Sequence, residues 1–133
     1  MALANPQEIQ EFAQKLSTCA DAFNARVKAE LVAGAISMDA AFVHLSNERL
    51  LRETANKLFL QAALLTIAKL SISQQVVQKA IDSAQGKIKA FQDFAQALDL
   101  IADLIALGTA VASGKLPSIV ATFKEVERDV QSA

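Results

Sequence analysis

The sequence contains no tryptophan and no tyrosine, a single cysteine and a single histidine, and little glycine or proline. One cysteine and one histidine supply too few ligands for a zinc site and cannot form a disulfide framework. The lone Cys19 is typical of a protein in a reducing cytoplasm. Glycine and proline interrupt helices, so their scarcity indicates long helices with few boundaries.

The chain also has no large excess of charge of either sign, because its 13 Lys and Arg residues nearly balance its 14 Asp and Glu residues. A nucleic-acid-binding protein normally presents a basic face, since neutralisation of phosphates supplies most of the affinity. The phenylalanines, including Phe42 on the apolar side of the second helix, fall on apolar stripes and are expected in the core, which leaves no aromatic platform for stacked bases. We therefore expect no nucleic-acid partner.

Long hydrophobic runs are absent as well. The longest stretches without charge are 58–68 and 104–114, whereas a helix needs about 20 apolar residues to span a bilayer. The first ten residues lack the basic and then apolar pattern of a signal peptide. We expect no transmembrane helix and a cytoplasmic location, and non-classical secretion stays open.

What the sequence does contain is an apolar fraction of 53%, much of it alanine, which is the best helix former. The apolar residues recur at helical spacing and do not alternate as in strands. This pattern predicts an all-α fold: an antiparallel bundle of three long helices plus a short C-terminal helix. The bundle is expected to resemble a four-helix bundle with coiled-coil-type packing, and to form a single domain over 1–133. The predicted helices cover about 6–33, 38–70, 73–113 and 117–131.

Capping residues mark the predicted helix ends. Asn5 precedes a proline and lies three residues before Glu8, as in a capping box. Ser37 is placed to cap the second helix, and Gly114 to end the third. An alternative divides the second helix at Ser46-Asn47.

The most regular pattern lies in the third predicted helix, where small and apolar residues alternate at steps of four and three. Such steps keep one face of a helix against a neighbour over many turns. We call this row the helix-3 seam: Val77, Ile81, Ala84, Ile88, Phe91, Ala95, Leu98, Ala102, Ile105, Thr109 and Ala112. The polar stripe beside it ends at Asp103, so residues 104–112 should be surrounded on nearly all sides.

The residues with chemical potential favour structural roles. His44 is expected on the surface, hydrogen-bonded to Glu48 and not ligating a metal or haem. Cys19 lies on an apolar face, where burial opposes thiolate formation. Asp99 and Asp103 could together hold a cation, but they continue a solvated glutamine-rich stripe. We predict no catalytic residue, metal, cofactor or small-molecule substrate, and hence no enzyme.

The segment 58–72 is apolar nearly all round, which suits a central helix of the bundle, an oligomer contact or a membrane-active hairpin tip. Exposed apolar patches usually mark a partner or a membrane. The candidate interface residues are Leu58, Leu60, Leu64, Ile67, Ile72, Leu104, Leu107 and Val111.

These observations predict a non-catalytic helical-bundle protein that works by association, as a homo-oligomer or with a protein partner. The alternative is an amphitropic or pore-forming protein whose 58–72 tip enters lipid, although tryptophan and tyrosine, which anchor proteins at membrane interfaces, are absent. A third hypothesis is a carrier of a hydrophobic ligand inside the bundle.

Overall fold

The computed structural model describes residues 1–67 and 69–131; Ala68, Ser132 and Ala133 lie outside the described residues. Within the described part, all regular structure is helical, which confirms the all-α prediction. The five helices are α1 (Pro6–Val32), α2 (Met38–Gln61), α3 (Gln74–Ala90), α4 (Phe94–Ser113) and α5 (Leu116–Gln131). The predicted count of three long helices and one short helix is wrong, because the third predicted helix is two helices.

Side-chain caps begin four of the helices. The Oδ1 atom of Asn5 accepts a hydrogen bond from the backbone N–H of Glu8 at 2.9 Å. Ser37, Ser73 and Asp93 accept equivalent bonds at the starts of α2, α3 and α4. Each cap satisfies a backbone donor that has no partner within the helix.

The interruption after Ala90 divides the predicted 73–113 helix. From α1, the Nη1 group of Arg26 donates hydrogen bonds to the carbonyl oxygens of Ile88 at 3.0 Å and Lys89 at 3.3 Å. These carbonyls belong to the last turn of α3, where a helix leaves its acceptors unsatisfied. The end of α3 is therefore capped by a side chain from a distant helix, whereas the start of α4 is capped locally by Asp93.

After the interruption the chain runs back along α1. At the start of α4, the ring of Phe94 stacks on that of Phe23 with 6.1 Å between centroids. Farther along α4, Gly108 lies against Leu16, which is earlier in α1. Helix α4 is therefore antiparallel to α1.

Helix α3, in contrast, is parallel to α1. Gln78 donates to Glu11 and Lys15 pairs with Asp82, both at 2.6 Å, so later residues of α3 meet later residues of α1. The reversal of direction between α3 and α4 explains why one seam cannot serve both helices.

The helix-3 seam is accordingly buried only in its first half. Its members through Phe91 are buried, whereas Ala95, Ala102 and Thr109 are exposed. In α4 the buried positions are Ala97, Leu100, Ile101, Leu104, Leu107, Gly108, Ala110 and Val111. The prediction that 104–112 is covered on nearly all sides holds only in part, because Ile105, Ala106 and Ala112 are half-buried and Thr109 is exposed.

The second helix is continuous through Ser46-Asn47 but ends at Gln61, so the predicted end near residue 70 is wrong. The described residues from 62 to Ser73 are non-helical and pack against the N-terminal residues. Ile67 donates its N–H to the carbonyl of Leu3 at 2.9 Å, and Leu3 donates to Oε1 of Gln74 at 3.0 Å. In a continuing helix the N–H of Ile67 would bond to a carbonyl four residues earlier, so its bond to Leu3 replaces a helical one.

The buried apolar residues form a cluster to which all five helices contribute. Helix α2 packs against α1 and α4, and α5 packs against α4 and α3. The accessible surface is 6969 Å², close to the roughly 6,800 Å² expected of a folded monomer of this mass. The chain therefore buries a full core within one copy.

Candidate functional site

Most of the predicted interface lies inside the protein. Five of the eight residues are at most 3% exposed: Leu58, Ile67, Leu104, Leu107 and Val111. We reassign these five to the core, because the apolar excess that suggested an interface fills the space between helices.

The other three predicted interface residues reach the surface. Leu60 is 83% exposed and Leu64 is 94% exposed, while Ile72 is half-buried. Leu60 lies in the last turn of α2 and Leu64 in the turn that follows. An interface role for these side chains stays a prediction, and their position directs attention to the outward side of α2.

Helix α2 has one buried side and one exposed side. Its buried apolar residues are Ala41, Leu51, Ala55 and Leu58. On the other side, exposed residues follow one another at steps of three or four, so they share one face of the helix. We call this row the α2 outer face; it consists of Met38, Phe42, Ser46, Arg49, Glu53, Asn56, Leu60 and, just beyond the helix, Leu64.

The α2 outer face is apolar at both ends and polar in the middle. Met38 and Phe42 form one end, with Phe42 63% exposed, and Leu60 and Leu64 form the other. Exposed Val43 and Leu50 lie beside the row. Scattered surface apolar residues are normal, but a large phenylalanine and two leucines open to solvent on one face indicate a contact surface.

The charged residues in the middle of the α2 outer face, Arg49 and Glu53, take no part in the ion pairs of the described residues. On the inward flank of α2, Arg52 binds Asp21 at 2.7 Å and also Glu48, whose side chain is buried. Hydrogen bonds to Glu48 and then Asp21 raise the pKa of Arg52. No ion pair joins Arg49 or Glu53 to another residue in the described ranges. Their opposite charges are thus open to a partner.

Sequence reasoning placed Phe42 on the buried side of the second helix, and that assignment is wrong. Phe42 precedes the buried Leu51 by nine residues, which corresponds to roughly 180° around a helix. The helical period counted from Leu51 therefore already contained the signal. What misled the prediction was the assumption that every phenylalanine belongs to the core.

The isolated thiol and imidazole are both engaged in packing. Cys19 is buried, as predicted, and its Sγ–H donates to the carbonyl of Ile81 at 3.6 Å. Burial, followed by the charge of Asp82, raises the pKa of the Cys19 thiol to about 12. His44 is half-buried, and its ring packs against that of Phe94 in a T-shaped arrangement with 5.2 Å between the ring centroids. The predicted His44 hydrogen bond to Glu48 is not made, since the carboxylate of Glu48 binds Arg52.

Asp99 and Asp103 belong to an acidic group that the sequence did not reveal. Asp99 is exposed, as predicted, but Asp103 is half-buried and hydrogen-bonds to Asp129 of α5. Burial first, then Asp103, Asp99 and Glu125, raise the pKa of Asp129 from 3.8 to about 7. Among residues 1–67 and 69–131, no three His, Cys, Asp or Glu side chains are grouped so that they could hold a metal ion.

Comparison with known proteins gives no match: no family model, no curated protein and no solved structure matches the chain. In the described part of the chain, α4 (Phe94–Ser113) is long and apolar enough to cross a membrane. The core helix of a globular protein has the same composition, and α4 contributes many buried residues to this core.

Proposed function

We propose that this protein is a non-catalytic helical assembly protein that works by self-association through the α2 outer face. The observation that carries the proposal is the apolar surface at both ends of that face, on the side of α2 away from α1 and α4. Removing apolar surface from water is the main driving force of protein association. A second copy would cover this surface.

The state of the reactive side chains supports a non-catalytic role. The thiol of Cys19 is buried and has a raised pKa, so it is a poor nucleophile. His44 packs on Phe94, and its Nδ1 atom is enclosed. Neither side chain lies open to a substrate beside a second group that could activate it.

Multi-angle light scattering and sedimentation velocity, from about 10 μM to about 1 mM chain, test the proposal. We expect the mean mass to rise with concentration from that of one chain toward that of two. The double variant F42S/L60S should stay monomeric, because it removes one apolar residue from each end of the face. The matched control is V76S, which removes an exposed apolar side chain from α3.

A mass of one chain at every concentration would refute self-association. Equal loss of association in V76S and F42S/L60S would show that the α2 outer face is not the contact. All variants should retain the circular dichroism spectrum of the parent, since the substituted side chains are exposed.

A second candidate function is reversible membrane binding through the turn after α2. The exposed Leu60 and Leu64 favour it, because leucines at a turn can enter lipid without unfolding the core. Co-flotation with vesicles and dye release from them, across neutral and anionic lipid compositions, measure this directly. An L60S/L64S variant should lose binding that V76S retains, and a parent protein that neither floats nor releases dye excludes the function.

A further inference from the structure

We infer that two copies of the chain pair through the α2 outer face with their α2 helices antiparallel and the two-fold axis near the level of Leu51. This inference rests on the proposed self-association and adds the orientation, the register and the residue pairs. It follows from the order of residue types along the face, which reads the same chemically from either end.

The face is a palindrome of residue character about position 51. Apolar residues occupy both ends, small polar residues come next, and opposite charges flank the centre. The pairs equidistant from Leu51 are Met38 with Leu64, Phe42 with Leu60, Ser46 with Asn56, and Arg49 with Glu53. In a two-fold interface, each contact between two different residues occurs twice, once on either side of the axis. The antiparallel pair therefore makes two copies of every one of these contacts.

Charge selects this orientation over the parallel one. In a parallel pair in register, Arg49 would face Arg49 of the second copy and Glu53 would face Glu53. In the antiparallel pair, each Arg49 faces a Glu53, and these side chains have no other ion-pair partner in the described ranges. Charged groups at an interface set orientation and register more than affinity.

The apolar ends supply most of the attraction, because the charge pairs at the centre mainly set the orientation. Each Phe42 meets a Leu60, so two large contacts lie one on either side of the axis. Helix α2 has 24 residues and is about 36 Å long and about 10–12 Å wide, which gives a contact strip of roughly 400 Å². A specific interface usually buries about 800 Å² per partner, about twice the area of this strip. Because the strip is small, we expect weak, reversible association that depends on concentration.

Charge exchange tests the register. The single variants R49E and E53R each place like charges opposite one another twice, so each should weaken dimerisation at least about tenfold. The double variant R49E/E53R restores opposite charges and should return the dissociation constant to within about threefold of the parent value. High salt should partly rescue the single variants, because screening shortens the range of the repulsion.

Disulfide trapping tests the orientation. A mixture of F42C chains and L60C chains should cross-link under mild oxidation faster than either variant alone. The native Cys19 does not compete, because it is buried. K124C, at an exposed position on α5, serves as the control that should not cross-link.

The outcomes separate this inference from the proposed function. Fast cross-linking in the mixture together with charge rescue supports the antiparallel pair. Faster cross-linking of F42C alone, or no recovery in R49E/E53R, overturns it, even if scattering still shows dimers and self-association stands. A monomer at every concentration overturns both.

Discussion

At the scale of single residues, two glycines inside helices give opposite predictions. A Cβ at Gly108 would lie 2.7 Å from Cγ2 of Thr54 and 3.3 Å from Cδ1 of Leu16. A Cβ at Gly86 would meet nothing within 4 Å. We expect G86A to stabilise the protein by about 0.5–1 kcal/mol, because alanine loses less backbone entropy in a helix. G108A should destabilise it by about 1–2 kcal/mol, since overpacking outweighs that gain. Urea denaturation measures both.

A third substitution shows whether packing is the cause. T54S removes the Cγ2 methyl that obstructs a side chain at Gly108. In the G108A background, T54S should therefore recover part of the lost stability, whereas alone it should cost some packing. If G108A proved as stable as G86A, the close approach of α2 and α4 at Gly108 would be incorrect.

We expect Asp129 to give the protein a pH-dependent stability. Its pKa is raised from 3.8 to about 7 in the folded chain by burial first and then by Asp103. The folded state therefore holds a proton that the unfolded chain has released between about pH 4 and about pH 7. The stability contributed by the neutral carboxyl is complete below about pH 4 and is lost as pH rises through about 7.

Thermal unfolding from pH 5 to pH 8 measures this dependence. D129N removes the titration, so its Tm should fall less than that of the parent as pH rises. D39N, at an exposed position on α2, should leave the slope of the parent unchanged. A parent Tm that rises steadily over this range would contradict a raised pKa of Asp129 in the folded chain.

At the scale of helices, local signals predicted more than long-range ones. The caps at Asn5 and Ser37 could be identified from sequence because they depend on residues within one turn. The interruption after Ala90 was missed, because the end of α3 is capped by Arg26 from another helix and the local cap at Asp93 was not recognised. Asp103 was likewise assigned to a solvated stripe, since only the packing of α5 brings Asp129 beside it.

The candidate site divides in the same way. The helical period of α2, counted from Leu51, already places Phe42 and Leu60 on the outward side. The burial of Leu104 and Val111 could not be distinguished from interface burial, because both produce the same apolar pattern. Composition alone does not say whether an apolar residue faces the same chain or another one.

Arg26 is predicted to hold the reversal between α3 and α4. Its guanidinium donates to the carbonyls of Ile88 and Lys89, binds Glu30 at 2.8 Å and lies 5.7 Å from the ring centre of Phe94. R26A should destabilise the protein by about 1.5–3 kcal/mol, because hydrogen bonds from a charged donor are lost. Urea denaturation gives the cost, and amide exchange shows where protection decreases.

The control for Arg26 is an arginine on the surface. Arg128 pairs with Glu125 on α5 and is well exposed, so R128A should cost no more than about 0.5 kcal/mol. Loss of protection in R26A should centre on the end of α3 and the first turn of α4. Uniform loss along the chain would mean that Arg26 supports the whole core and not the reversal in particular.

At the scale of the whole molecule, folding and association are separable. The accessible surface of one copy matches that of a folded monomer, so the core does not depend on a second chain. The α2 outer face lies outside that core. Substitutions there should therefore change association without changing the fold, which is the condition under which the proposed dimer can be tested cleanly.

This separation predicts how heat stability varies with concentration. If the native dimer dissociates as it unfolds, mass action raises the Tm of the parent with chain concentration. F42S/L60S should show a constant Tm, equal to that of the parent at high dilution, because the core is the same. Differential scanning calorimetry over a hundredfold range of concentration, with V76S as control, measures this. A Tm of F42S/L60S well below that of the dilute parent would mean that the α2 outer face stabilises the monomer itself. A parent Tm that does not change with concentration would show that assembly contributes nothing to stability.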